Sequence, residues 1–213
     1  MRLRSPPYLQ IALDMVEETD FNDVIRNIPE STKILIEAGT PLIKKFGISI
    51  IGKIRSSHPQ AYIVADMKTL DVGALEVKIA ADANADAVAI SGLAAKETIE
   101  SALEEGDIRS VDIILDLMSL EKPLKKLQSL SKIPDVLLMH RGIDQEGRLD
   151  HSWDLLEEIK NKAPNSLIAL AGGLEIENSK KAIENGADII VIGRAITQSS
   201  NIEDEIKRFL DLL

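Results

Sequence analysis

Eight short apolar runs recur along the chain at nearly even spacing, and that cadence leaves few folds open. They begin at Tyr8, Ile34, Tyr62, Asp86, Val111, Asp135, Leu167 and Asp188, so successive starts lie 21 to 32 residues apart. Each is rich in Ile, Val and Leu without strict alternation, as strands covered on both faces are. Helical patterns lie between them. Residues 72–84 place Leu75, Ile79 and Ala83 on one stripe, residues 175–186 end in a helix-stopping Gly, and residues 201–213 align Ile202, Ile206, Phe209 and Leu213. Strands alternating with helices indicate a parallel α/β protein. Eight repeats predict a closed (β/α)8 TIM barrel, a single domain over residues 1–213 with residues 1–7 as a flexible arm. At 213 residues it is a small member of that class.

In such a barrel the chemistry sits where the strands end. The first run ends in Asp14 and the second in Glu37, followed by Gly39. The third ends in Asp66 and Lys68, the fifth in Asp116, and the sixth in His140 and Arg141. The seventh ends in Gly172-Gly173 and the eighth in Gly193-Arg194. The opposite rim is expected to lack such a cluster. Converging polar groups on one rim mark a candidate site.

Spacing suggests what each group does. Asp66 and Lys68, two apart on a strand, share a face; the bland alternative is an ion pair sealing the barrel end. Asp71 falls at the next helix start, where it can act as an N-cap. Glu37 and Asp66 sit on adjacent strand tips, and two hard carboxylates with room for water suit Mg2+. A hydrogen-bonded acid pair is the competing reading. The glycines at strands seven and eight suit a phosphate cradle, with Arg194 as a charged clamp. His58 and His151 read as loop and helix-entry residues, and Trp153 as packing.

Composition removes several classes. With 35 acidic against 25 basic residues the net charge is −10, which argues against a general nucleic-acid binder. The absence of Cys excludes thiolate catalysis and Cys-ligated zinc. No signal peptide and no membrane span are expected, so the reading is cytoplasmic. Aromatics make up only 3% of the chain, so Ile, Leu, Val and Ala must fill the core.

The segments LQIALD, IEAGTPLIKKFG, VADMKTLDVGALEVKIA, HRGIDQEG, ALAGGL and VIGRAIT together resemble the hexulose-6-phosphate synthases, in the metal-dependent branch of the orotidine 5′-phosphate decarboxylase superfamily. The superfamily's D-x-K-x-x-D motif is Asp66, Lys68 and Asp71. Orotidine 5′-phosphate decarboxylase carries a Lys where this chain has Glu37, and the resemblance therefore implies Mg2+ held by Glu37 and Asp66. It further implies ribulose 5-phosphate and formaldehyde as substrates and His140 as the base. Lys68 would stabilise an enediolate, and Asp14 would orient Lys68 or substrate hydroxyls. The phosphate would lie at Gly172, Gly173, Gly193 and Arg194. A homodimer would share its sites, each Asp71 serving the neighbour's. Two alternatives stay open: a 3-keto-L-gulonate 6-phosphate decarboxylase, which carries an Arg at the position of Ile143, and a non-catalytic sugar-phosphate sensor.

Overall fold

The computed structural model describes residues 3–142 and 153–213. Eight parallel strands close into a barrel in sequence order. They are β1 (Tyr8–Leu13), β2 (Ile34–Ala38), β3 (Tyr62–Thr69), β4 (Ala87–Ser91), β5 (Asp112–Asp116), β6 (Val136–His140), β7 (Leu167–Ala171) and β8 (Ile189–Ile192). Closure runs through β1 and β8, with Leu9 opposite Ile190. Every strand begins within one residue of the start expected from its apolar run.

The sheet separates two apolar layers. Outside it, residues such as Leu9, Ile36, Ile63, Ile90, Leu115 and Leu137 pack against the helices. Inside, the alternate residues meet, among them Leu35, Val64, Ile114 and Val136, with Ala12, Ala89, Ala169 and Ala171. Side chains two apart on a strand share a face, so inward parity can be followed to the strand tips. It runs Leu35–Glu37, Val64–Asp66, Ile114–Asp116 and Leu138–His140. The apolar interior thus turns polar at its last layer.

The lower rim departs from expectation, for it too carries a ring of acids. Oδ2 of Asp86, Asp135 and Asp188 accepts the backbone N–H of Ile63, Ile113 and Ile168 at 2.7, 3.0 and 2.9 Å. Asp112 accepts the Tyr62 hydroxyl at 2.7 Å. Three of these carboxylates satisfy a donor at the start of a neighbouring strand, a structural task.

The helices α4 (Gly73–Asp82) and α5 (Lys96–Arg109) pack against each other. A Cβ on Gly73 would come within 2.1 Å of the Thr98 carbonyl oxygen, so only glycine admits this approach. The stripe expected of residues 72–84 does not face the core. Leu75 is 53% exposed and Ile79 38%, while Val77 and Ala80 face the core. The terminal helix α10 (Ile202–Leu210) buries Ile206 and Phe209 as expected. Each such burial contributes about 1.5–3 kcal/mol. His58 is more than a loop residue: it is buried at the end of α3 (Ile50–Ser57), with Nε2 2.9 Å from the Ile28 carbonyl oxygen. Among the described residues, no helix is long and apolar enough to cross a membrane.

Candidate active site

The third strand brings the charges together by leaving regular geometry. Its register with β4 shifts between Ala65 and Thr69, and Lys68 adopts φ 45°, a left-handed conformation unusual for lysine. Strand alternation alone does not place Asp66 and Lys68; an irregularity does. Such local cost is typical of functional positions. Lys68 Nζ donates to Asp66 Oδ2 at 2.8 Å and to Asp116 Oδ2 at 2.9 Å. Burial by itself would favour the neutral amine, but the two carboxylates outweigh it and hold the ammonium charged well above the ordinary lysine value.

Asp116, at the tip of β5, joins the lysine to the histidine. Its Oδ2 also lies 2.9 Å from His140 Nδ1, and its Oδ1 accepts the Met118 N–H at 2.9 Å. Burial pushes the Asp116 carboxyl upward, yet His140 and Lys68 leave it below the usual carboxylate range. An ionised carboxylate facing Nδ1 fixes the tautomer: Nδ1 carries the proton and Nε2 is the basic nitrogen. Asp116 was legible as a strand-end acid, but its linking role depends on distances no sequence spacing gives.

Beside this chain lies a group of acids. Glu37 is buried, and its Oε2 accepts from Gln10 Nε2 at 2.6 Å. Burial first, then the Asp66 and Asp14 charges, push its carboxyl up to about 8, with Gln10 and Lys68 opposing. Asp14 sits at the open rim, above Gly39, where a Cβ would strike its Oδ1. Loss of hydration, together with Asp66, raises the Asp14 carboxyl, while Lys68, His140 and Arg194 pull it down. Asp66 Oδ2 takes the Thr40 hydroxyl at 2.8 Å, but its Oδ1 is buried with no hydrogen-bond partner among the described residues. Gln10 and Thr40 escaped the sequence reading. An amide inside an apolar run, at inward parity, was the available signal for Gln10.

Two acids crowded enough to raise Glu37, plus an orphaned Asp66 oxygen, form a donor set short of positive charge. Among the described residues no three His, Cys, Asp or Glu side chains group as a metal cage. The expected pair Glu37 and Asp66 nonetheless fits a hard divalent cation that keeps several waters.

The other predicted residues lie on the same rim. Gly172 and Gly173 follow β7 with φ of 102° and 61°, and Gly193 precedes the short helix α9 (Arg194–Thr197). Arg194 is exposed there. Asp71 is not brought into the cluster: it is exposed, and its Oδ1 accepts the adjacent Val72 N–H at 2.8 Å. It does not cap α4, whose N-cap is Val72. Ile143 and His151 fall outside the described residues.

The sequence profile of the orotidine 5′-phosphate decarboxylase / HUMPS family matches residues 7–209. The chain belongs to this family. Within it, the chain is similar to a bifunctional enzyme Fae/Hps of Methanothrix thermoacetophila, at 46% identity over 213 residues, covering 100% of this chain and 54% of that protein. It is likewise 47% identical over 220 residues to the Fae/Hps enzyme of Methanosphaera stadtmanae, again covering 100% and 54%. The chain thus spans about half the length of the curated relatives it matches. The crystal structure of 3-hexulose-6-phosphate synthase from Salmonella typhimurium superposes with a TM-score of 0.86 at 26% identity, covering 97% of this chain and 98% of that one. Membership agrees with the closed eight-stranded barrel. The family barrel places Asp66, Lys68, Asp116 and His140 on a single rim, and the hydrogen bonds above make them one network.

Proposed function

We propose that the chain catalyses aldol condensation of formaldehyde with ribulose 5-phosphate to give 3-hexulose 6-phosphate, or the reverse cleavage. The observation that carries this reading is the continuous chain Asp66–Lys68–Asp116–His140, set against the buried Glu37. It holds a fixed cation beside a base of defined tautomer, as a carbanion reaction requires. Likeness to the synthases and to Fae/Hps supports the choice of substrates.

In this reading the sugar phosphate is anchored at Gly172, Gly173, Gly193 and Arg194. His140 Nε2 removes a proton from C1, while Asp116 steadies the imidazolium that forms. The C1–H electron pair becomes an enediolate, and Lys68 stabilises the charge gathering on its oxygen. C1 then attacks formaldehyde, forming the new C–C bond. The resulting alkoxide takes the proton back from His140, so charge and protons balance. Asp14 orients Lys68 and substrate hydroxyls. Glu37 and Asp66 would hold Mg2+, which supplies a Lewis acid for the substrate ketone when bound.

The functional unit in this reading is a homodimer with shared sites. Leu70, Val72, Leu75, Ile79 and Leu93 are each exposed by more than a third, on α4 and the loops beside it. Asp71 stands among them, turned from its own cluster, where a partner's site would receive it.

The direct test incubates the protein with ribulose 5-phosphate, formaldehyde and Mg2+. Formaldehyde should disappear one-for-one with ribulose 5-phosphate. No consumption, with CO2 released from 3-keto-L-gulonate 6-phosphate, would move the assignment to the decarboxylases. Sugar-phosphate binding indifferent to EDTA and to His140→Ala would make the chain a sensor.

A further inference from the structure

Two side chains outside the reacting cluster grip the turn after β7. Arg141 Nη2 donates to the Gly172 carbonyl oxygen at 3.0 Å. Asn178, in the first turn of α8 (Ile176–Glu184), donates from Nδ2 to the Gly173 carbonyl oxygen at 3.0 Å. The same Asn178 amide accepts the Glu175 N–H on Oδ1 at 2.5 Å, so both its ends are fixed.

A trans peptide is planar, and its C=O and N–H point in opposite directions. Tying down the Gly172 oxygen therefore sets the direction of the Gly173 N–H. Tying down the Gly173 oxygen does the same for the Leu174 N–H. Neither of these two N–H groups donates to an acceptor among the described residues. Both glycines have positive φ, a region where a peptide plane can flip at small cost. Flipped, the turn would present carbonyl oxygens to an anion and repel it. Gly172 has no room for a side chain either: a Cβ there would sit 2.0 Å from the Arg141 carbonyl oxygen. Arg141 thus meets this turn through both its backbone and its guanidinium.

We propose that Arg141 and Asn178 are positioning residues that pull two peptide carbonyls outward and so aim the Gly173 and Leu174 N–H groups at the substrate's phosphate. This rests on the reading of the β7 turn as the phosphate seat and adds the device that keeps the seat in its binding orientation. Arg141 acts here as a brace on backbone rather than as a charge on the phosphate.

The test titrates inorganic phosphate into 15N-labelled protein and follows the two amides. In the native protein both amide protons should move downfield. Arg141→Met should weaken phosphate binding about tenfold, the effect of losing a charge-assisted hydrogen bond, and should erase the Gly173 response while keeping that of Leu174. Asn178→Asp keeps the bond from Glu175 but loses the donor, and should erase the Leu174 response instead. Arg141→Lys retains a donor and should restore most of the affinity and the Gly173 signal. In turnover, KM for ribulose 5-phosphate should rise about tenfold in Arg141→Met with kcat nearly unchanged. If Arg141→Met does not fold, the Asn178→Asp and Arg141→Lys spectra decide.

Native phosphate affinity in Arg141→Met, or weakened affinity with the Gly173 response intact, would overturn the proposal; the latter would make Arg141 a direct charge contact. A native protein that turns over substrate but shows no phosphate response at either amide would remove the seat and the proposal together. The predicted amide responses without aldol activity would leave the proposal standing and defeat the assigned reaction.

Discussion

Asp116 Oδ2 lies 2.9 Å from His140 Nδ1 and is shared with Lys68 Nζ at the same distance. One carboxylate oxygen thus sets the tautomer of the base and balances the cation that meets the developing charge. Asp116→Asn keeps the shape but removes the negative charge, and leaves one amide oxygen where two carboxylate oxygens now serve Met118, His140 and Lys68. We expect kcat to fall about 100-fold or more, with a small change in KM. Steady-state kinetics checks this, and native kcat in Asp116→Asn would show that the link is only structural.

The acid group predicts how stability responds to pH. Folded Glu37 keeps its proton up to about 8, whereas an ordinary glutamate loses it near 4.5. The folded state therefore binds more protons than the unfolded chain between these values, and stability falls as pH rises through that window. Mg2+ should flatten the fall and raise Tm by several degrees at pH 8. Glu37→Gln should remove both the slope contribution and the Mg2+ response. Calorimetry from pH 5 to 8, with and without EDTA, reads both; a Tm indifferent to Mg2+ in the native protein would contradict this role of Glu37.

Arg194, exposed at the start of α9 after β8, contacts the phosphate in the proposed reading. Such binding acts equally in ground and transition states. Arg194→Ala should therefore raise KM about tenfold or more and leave kcat close to native. A drop in kcat with KM unchanged would place Arg194 in the chemistry instead.

Asp71 and the apolar residues around it predict shared sites. Lys68→Ala and Asp71→Ala should each be inactive, and mixing them after dissociation should restore about a quarter of native activity through hybrid dimers. Leu75→Glu with Ile79→Glu should give a monomer by sedimentation. Mixed variants that stay inactive, though they exchange subunits, would assign Asp71 to its own chain.

The barrel was legible because eight apolar runs, covered on both faces, admit little else. The strand-end residues were legible for the same reason: inward parity carries Glu37, Asp66, Asp116 and His140 to one mouth. What escaped depended on departures from regularity. Lys68 reaches Asp66 through a shift in strand register that alternation does not foresee. The stripe of Leu75 and Ile79 has helical spacing but faces outward, because Gly73, Val77 and Ala80 let α4 lie closer to its neighbours. The lower acids were missed because a carboxylate that accepts a backbone N–H looks, in sequence, like any polar residue before a strand.

The central claim is that His140 takes a proton from C1 of the sugar phosphate before any carbon–carbon bond is made. Ribulose 5-phosphate in D2O with Mg2+ and no formaldehyde, followed by 1H NMR, tests it most directly. One C1 hydrogen should exchange at a rate matching turnover, and His140→Ala should abolish the exchange. Exchange at the native rate in His140→Ala, or full aldol turnover by the native protein without C1 exchange, would contradict the account.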